Sequence, residues 1–112
     1  MNDKIRSRLA DTLDAARLIA AWVPQHSLET ITNDRLIESA YLLQFERVGE
    51  TLRIVRDYDP EFDSRIPKLH LWIGLRHRLI HDYREIDLEL LWTTAVVDIP
   101  LLIQELTSIL DT

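Results

Sequence analysis

The chain has no cysteine among its 112 residues. Disulfides and thiolate metal sites are therefore excluded, and a reducing compartment is compatible. Glycine occurs twice and proline four times. So few turn formers argue against an all-β fold, in which tight turns recur every few residues. The start, Met1-Asn2-Asp3-Lys4, lacks the apolar stretch of a secretory signal. No apolar run in the primary sequence approaches the roughly 20 residues needed to span a bilayer. The expectation is a soluble, cytoplasmic protein with no membrane association. Positive charge is also scarce: 13 Lys and Arg stand against 19 Asp and Glu, a formal net charge of −6. Phosphate neutralisation dominates nucleic-acid binding. Any such function requires the basic groups to be concentrated locally.

What the chain does have is apolar material in helical order. Hydrophobic residues make up 46% of it, enough for one domain with one core over residues 1–112. Ile5, Leu9, Leu13, Ala16, Ala20 and Val23 recur at three- and four-residue steps, which predicts a helix from about Asp3 to Val23, closed by Pro24. A polar connector follows, with room for a short helical turn. Ile37, Tyr41, Phe45, Val48, Leu52 and Val55 form the stripe of a second helix over about Asp34 to Tyr58, with Thr32 or Asn33 as its cap. Gly49 inside that helix costs propensity and points to close helix–helix approach. Asp59-Pro60 reads as a stop and a new start. A third helix runs from about Pro67 to His81, with Leu69, Trp72, Ile73, Leu79 and Ile80 inward. A fourth begins after Asp87 with Leu88, Leu91, Trp92 and Ala95 on one face. Asp98-Ile99-Pro100 interrupts it, because Pro100 has no N–H to donate. A last helix carries Leu102, Leu106 and Ile109. The sum is an all-α bundle of four to five helices.

The chemistry is concentrated in Ile73-Gly74-Leu75-Arg76-His77-Arg78-Leu79-Ile80-His81-Asp82-Tyr83. From Arg65 to Arg84 there are five basic residues and one acidic, a local charge of +4 in an acidic chain. Cleaving RNA without a metal needs a group to take the ribose 2′-OH proton, a group to protonate the leaving oxygen, and a cation on the phosphoryl group. Histidine suits the first two tasks and arginine the third. One histidine cannot readily act as acid and base at once. Arg76 and His81 also stand five residues apart, about 140° around a regular helix. They converge on one phosphate if the helix distorts near His81, or if two copies of the chain share a site.

These residues resemble a known family. Arg76-x4-His81-x-Tyr83 is similar to the R-x4-H-x-Y motif of HepT-like toxins in the HEPN superfamily. Ile73-Gly74-Leu75-Arg76 resembles that family's I-G-M-R lead-in, and Asp98-Ile99-Pro100-Leu101-Leu102 its closing D-L-P-x-L. Phe45-Glu46-Arg47-Val48-Gly49-Glu50 resembles its E-x-I-G-E helix. The resemblance implies a single homodimeric HEPN domain and a metal-independent endoribonuclease that needs no cofactor. Arg76 and His81 would be catalytic, and His77 and Arg78 would bind substrate. It also implies a toxin–antitoxin pair, whose antitoxin is a minimal nucleotidyltransferase that attaches AMP to Tyr83. One departure is His77, where the family commonly has Asn. An alternative is a HEPN module with weak catalysis that docks a nucleotidyltransferase.

Plainer readings exist for each residue. Arg76 can pair with a carboxylate, and His81 can sit as a cation at a helix C-terminus. His70, His77 and His81 share a helix face, so a metal site is conceivable, although structural zinc usually takes four ligands. Trp22, Trp72 and Trp92 read as core or dimer-interface residues rather than stacking platforms for bases. Glu46 and Glu50 read as a solvated face, the alternative being that one of them orients Arg76.

Overall fold

Asn2 lies in extended backbone, and its side-chain oxygen accepts the Ile5 N–H at 2.9 Å. That bond satisfies one of the donors a helix cannot pair at its own start, and α1 (Asp3–Trp22) begins there. The structure, a computed structural model, describes residues 1–111, and of Tyr83 the backbone alone. Pro24 sits in a short 3-10 turn, Val23–Gln25, just past the end of α1. The polar connector contains α2 (Leu28–Asn33), capped by Ser27, with Ile31 buried. Because α2 extends through Asn33, neither Thr32 nor Asn33 can cap the next helix. Asp34 does so instead: its Oδ1 accepts from the N–H groups of Leu36 (2.9 Å) and Ile37 (3.2 Å).

The second long helix, α3 (Arg35–Tyr58), buries Tyr41, Phe45, Val48, Leu52 and Val55 along one stripe, as its periodicity predicts. A short α4 (Phe62–Arg65) buries Phe62 and leads to α5 (Leu69–His81). Leu69, Trp72 and Leu79 of α5 are buried, whereas Ile80 is exposed rather than inward. A 3-10 turn, Tyr83–Glu85, connects to α6 (Leu88–Thr93), whose cap is Asp87.

Pro100 does not break the final segment. Between α6 and α7 (Ile99–Leu110) the residues Thr94–Asp98 form a π-helical stretch, in which the Ile99 N–H reaches back to the Thr94 carbonyl. The wider turn makes room for a residue that lacks an N–H and whose ring crowds the preceding turn. The rod is helical from Leu88 to Leu110. Joined in this way, it reaches the length and average hydropathy of a membrane-crossing helix, as apolar core helices also do, but Glu89, Asp98 and Glu105 interrupt it, in keeping with the absence of an unbroken apolar run in the primary sequence. Its Leu91, Ala95, Ile99, Leu102, Leu106 and Ile109 are buried at three- and four-residue steps, and α7 packs on α1.

The architecture is all-α, with four long rods. Seen in order around the core, α7 packs on α1, α1 on α3, and α3 on α5. Thr12 and Thr51 bond through their hydroxyls at 2.5 Å inside the α1–α3 seam, so neither buried hydroxyl is unsatisfied. Trp22 and Trp92 pack edge-on against the buried Tyr41, whose hydroxyl lies 3.0 Å from His26 Nδ1. Burial pushes the Tyr41 phenol up to about 12. Trp72 stacks on Phe45. The three tryptophans are thus packed against core aromatics. Between α5 and the α6–α7 rod lie two adjoining hollows of about 190 and 220 Å³, with the Lys68–Asp98 ion pair (2.7 Å) at the edge of one.

Candidate active site

α3 and α5 approach each other tightly at Gly49. A Cβ at this position would collide with the Arg76 Cβ and stand 2.8 Å from the Trp72 carbonyl oxygen. The expected reason for a glycine inside this helix is therefore met. Having passed over Gly49, the Arg76 side chain reaches the next residue of α3, and its Nη2 lies 2.9 Å from Glu50 Oε2. Glu50 also receives Arg53 on both oxygens, Nη2 to Oε1 at 2.6 Å and Nε to Oε2 at 3.3 Å. Arg53 in turn donates to Asp57 at 2.7 Å. The result is a charge ladder, Asp57–Arg53–Glu50–Arg76, along the outer edge of the α3–α5 seam.

Glu50 is thus not a merely solvated carboxylate. The Arg53 hydrogen bond holds its carboxyl below the ordinary value of 4.5, partial burial opposes this, and the nearby charges of Arg76, Arg53 and Arg8 add to the lowering. Of the two glutamates singled out in the sequence, Glu50 is the one that reaches Arg76. A carboxyl whose folded pKa is depressed stabilises the fold above its unfolded value, and that stability is lost as pH falls through the folded one. We expect wild-type stability to fall more steeply than that of Glu50→Gln below about pH 4.5. Paired acid-titrated thermal melts measure this, and identical pH profiles would show the ladder to contribute nothing.

The histidines occupy a different side of α5. His77 and His81 are exposed, one turn apart, with ring centroids 4.4 Å from each other and planes at 45°. The helix keeps its regular bonding to the end, where the Asp82 N–H reaches the Arg78 carbonyl at 2.8 Å. No distortion near His81 turns it toward Arg76. One of the two routes to convergence is therefore absent, and a single chain holds Arg76 against α3 while His81 faces outward. Arg78 is exposed on the other flank of α5, where it lines the hollows together with Leu75 and Leu90. His81, Asp82, Arg84 and Glu85 border a further open hollow beside the Tyr83 turn. The Tyr83 side chain lies outside the described residues. Among the described residues no three His, Asp or Glu side chains are grouped to hold a metal ion, so His70 does not extend the histidine pair into a three-ligand site.

The Arg76 held by a carboxylate, the His77–His81 pair and the turn at Tyr83 all lie between positions 76 and 83. The family model for HepT-like ribonucleases matches residues 12–109. This chain belongs to the HepT-like ribonuclease family. It is 28% identical over 96 residues to "Putative RNase MJ1380" of Methanocaldococcus jannaschii, a match that covers 86% of this chain and 87% of that protein. It is 26% identical over 106 residues to "Putative RNase TTE0752" of Caldanaerobacter subterraneus, covering 95% and 94%. No solved structure matches it significantly. Every site residue of this HepT-like chain named above falls within the family match. Sequence reasoning did not find the Arg53–Asp57 part of the ladder or the contact between His77 and His81. Charges three and four residues apart on α3 were the available signal for the first.

Proposed function

We propose that this HepT-like chain is a metal-independent endoribonuclease, the toxin of a toxin–antitoxin pair, active as a homodimer. The observation that carries this reading is the His77–His81 pair, exposed on α5 beside the Arg76 turn. His81 serves as general acid–base, and Arg76 steadies the charge on the phosphoryl group. His77 and Arg78 bind substrate phosphate, and the closeness of His77 lets a second imidazole share the proton transfers. A proton leaves the ribose 2′-OH for an imidazole, and the 2′-oxygen bonds to phosphorus. The bond from phosphorus to the 5′-oxygen breaks, and that oxygen takes a proton. Control comes from a minimal nucleotidyltransferase. The Tyr83 oxygen attacks the α-phosphorus of ATP, pyrophosphate leaves, and the bound adenylate competes with RNA for Arg76 and His81.

Two observations favour a second reading, in which the chain docks a nucleotidyltransferase and cleaves little. His77 replaces the family's usual Asn, and Glu50 already neutralises Arg76.

Purified protein should cleave RNA in the presence of EDTA and leave 2′,3′-cyclic phosphate ends. With ATP and a small nucleotidyltransferase encoded beside its gene, it should gain adenylate on Tyr83, and Tyr83→Phe should not. Inertness on several RNAs, together with harmless expression of the chain alone, would favour the docking reading. Cleavage abolished by EDTA would overturn the metal-independent mechanism.

A further inference from the structure

Arg76 has one place in the resting chain and needs another in the reaction. At rest its Nη2 lies 2.9 Å from Glu50 Oε2. In the reaction its guanidinium belongs on a phosphoryl group. A cation already paired with a carboxylate attracts phosphate weakly. The resting grip has to be one that substrate can loosen.

The two partners of Glu50 are unequal. Arg53 brings two nitrogens to it, Nη2 to Oε1 at 2.6 Å and Nε to Oε2 at 3.3 Å. That is the paired fork which suits a carboxylate. Arg76 meets Oε2 alone, the oxygen that Arg53 holds at the longer distance. Arg53 is itself anchored by Asp57 at 2.7 Å. The Arg53 hydrogen bond is also the chief cause that keeps Glu50 ionised, ahead of the charge of Arg76. Glu50, Arg53 and Asp57 stand three and four residues apart on one helix, so their contacts need nothing from α5. The Arg76 contact is the one that crosses between helices. The root of that side chain is packed at Gly49, whereas the residue as a whole is partly exposed. Its flexible stem lets the guanidinium turn about a fixed base.

We propose that Arg76 is handed from Glu50 to the substrate phosphate, and that Arg53 makes the hand-over possible by keeping the carboxylate. This rests on the ribonuclease reading for its place in a reaction. In the free protein the charges alternate along Asp57, Arg53, Glu50 and Arg76. When Arg76 turns to phosphate, Glu50 stays paired with Arg53. No bare carboxylate is then left to repel the incoming charge. Arg53 is a positioning residue, which acts through Glu50 and touches no substrate. The neutralised Arg76 is thus the resting state of a working site.

The test measures binding apart from cleavage. The probe is a short labelled RNA with 2′-O-methyl groups, which lacks the attacking hydroxyl and stays intact. Arg53→Gln leaves Glu50 to Arg76 alone, and its binding should weaken by about fivefold, the upper worth of a partly exposed ion pair. On cleavable RNA its KM should rise by the same factor while kcat changes by less than about twofold, as expected when only binding is lost. Glu50→Gln removes the competitor and should bind about threefold more tightly than wild type. The double variant decides between causes. With the Glu50 carboxylate gone, Arg53 has nothing to keep, so the double variant should bind like Glu50→Gln. A plain loss of positive charge would weaken binding by the same factor in both backgrounds, and that result would overturn the hand-over. Unchanged binding in Arg53→Gln would overturn it too. A wild type that cuts RNA while its binding ignores Arg53 keeps the ribonuclease and rejects the hand-over. A wild type inert on RNA, whose variants bind in the expected order, keeps the hand-over and rejects the ribonuclease. A wild type that neither binds nor cuts overturns both.

Discussion

Replacing His81 by alanine should lower RNA cleavage by about 10²- to 10⁴-fold, the usual worth of a positioned acid–base group. His81 is exposed and at the last turn of α5, so its loss leaves the core untouched. Its melt should stay within about 0.5 kcal/mol of wild type, as surface substitutions generally do. Arg76→Ala should fall by a similar factor, about 10²- to 10³-fold for a lost charge-stabilising donor. Arg76→Lys should recover little, since an ammonium cannot reproduce the planar fork of a guanidinium. A mixture of the two alanine variants is more informative. If the site is shared, a mixed dimer holds one composite site of two with Arg76 from one copy and His81 from the other, and since about half of the dimers in an equal mixture are mixed, mixing restores about a quarter of the activity. If each chain works alone, mixing restores nothing. Full activity in both single variants would remove these residues from the reaction.

The second large effect is expected at Gly49. Valine there must displace the Trp72 carbonyl and the base of the Arg76 side chain. A main-chain oxygen inside a helix cannot swing aside, so α5 has to move as a unit. Overpacking of this kind costs about 1–3 kcal/mol, and about 4 °C of melting temperature accompanies each kcal/mol in a chain of this size. Cleavage should fall further than the lost stability explains, because the shift moves the base of the Arg76 side chain and so misplaces its guanidinium. Calorimetry and cleavage assays at a temperature where both proteins are folded separate the two effects. A Gly49→Val protein with an unchanged melt would mean that α3 and α5 are not locked at this point.

Much of the fold was legible in the residues. The stripe from Tyr41 to Val55, the Asp87 cap and the inward Leu102, Leu106 and Ile109 all follow from local rules, a 3.6-residue period and orphan N–H groups that need an acceptor. Cap assignment failed at Thr32 and Asn33 because α2, a six-residue helix, is too short to announce itself by periodicity. The break expected at Pro100 became a π-helical stretch, because a helix held on α1 by buried residues on both sides of the proline gains more by widening one turn than by ending.

The sequence by itself settled that this protein is helical, where its apolar faces lie, and that Arg76, His77, His81 and Tyr83 crowd one short stretch, since each of these depends on neighbours within a turn or two. Only the tertiary structure decided that Arg76 leans on Glu50 rather than toward His81. Those partners are brought together by the register of α3 against α5, and that register follows from where two helices can come close, at a position with no side chain to keep them apart.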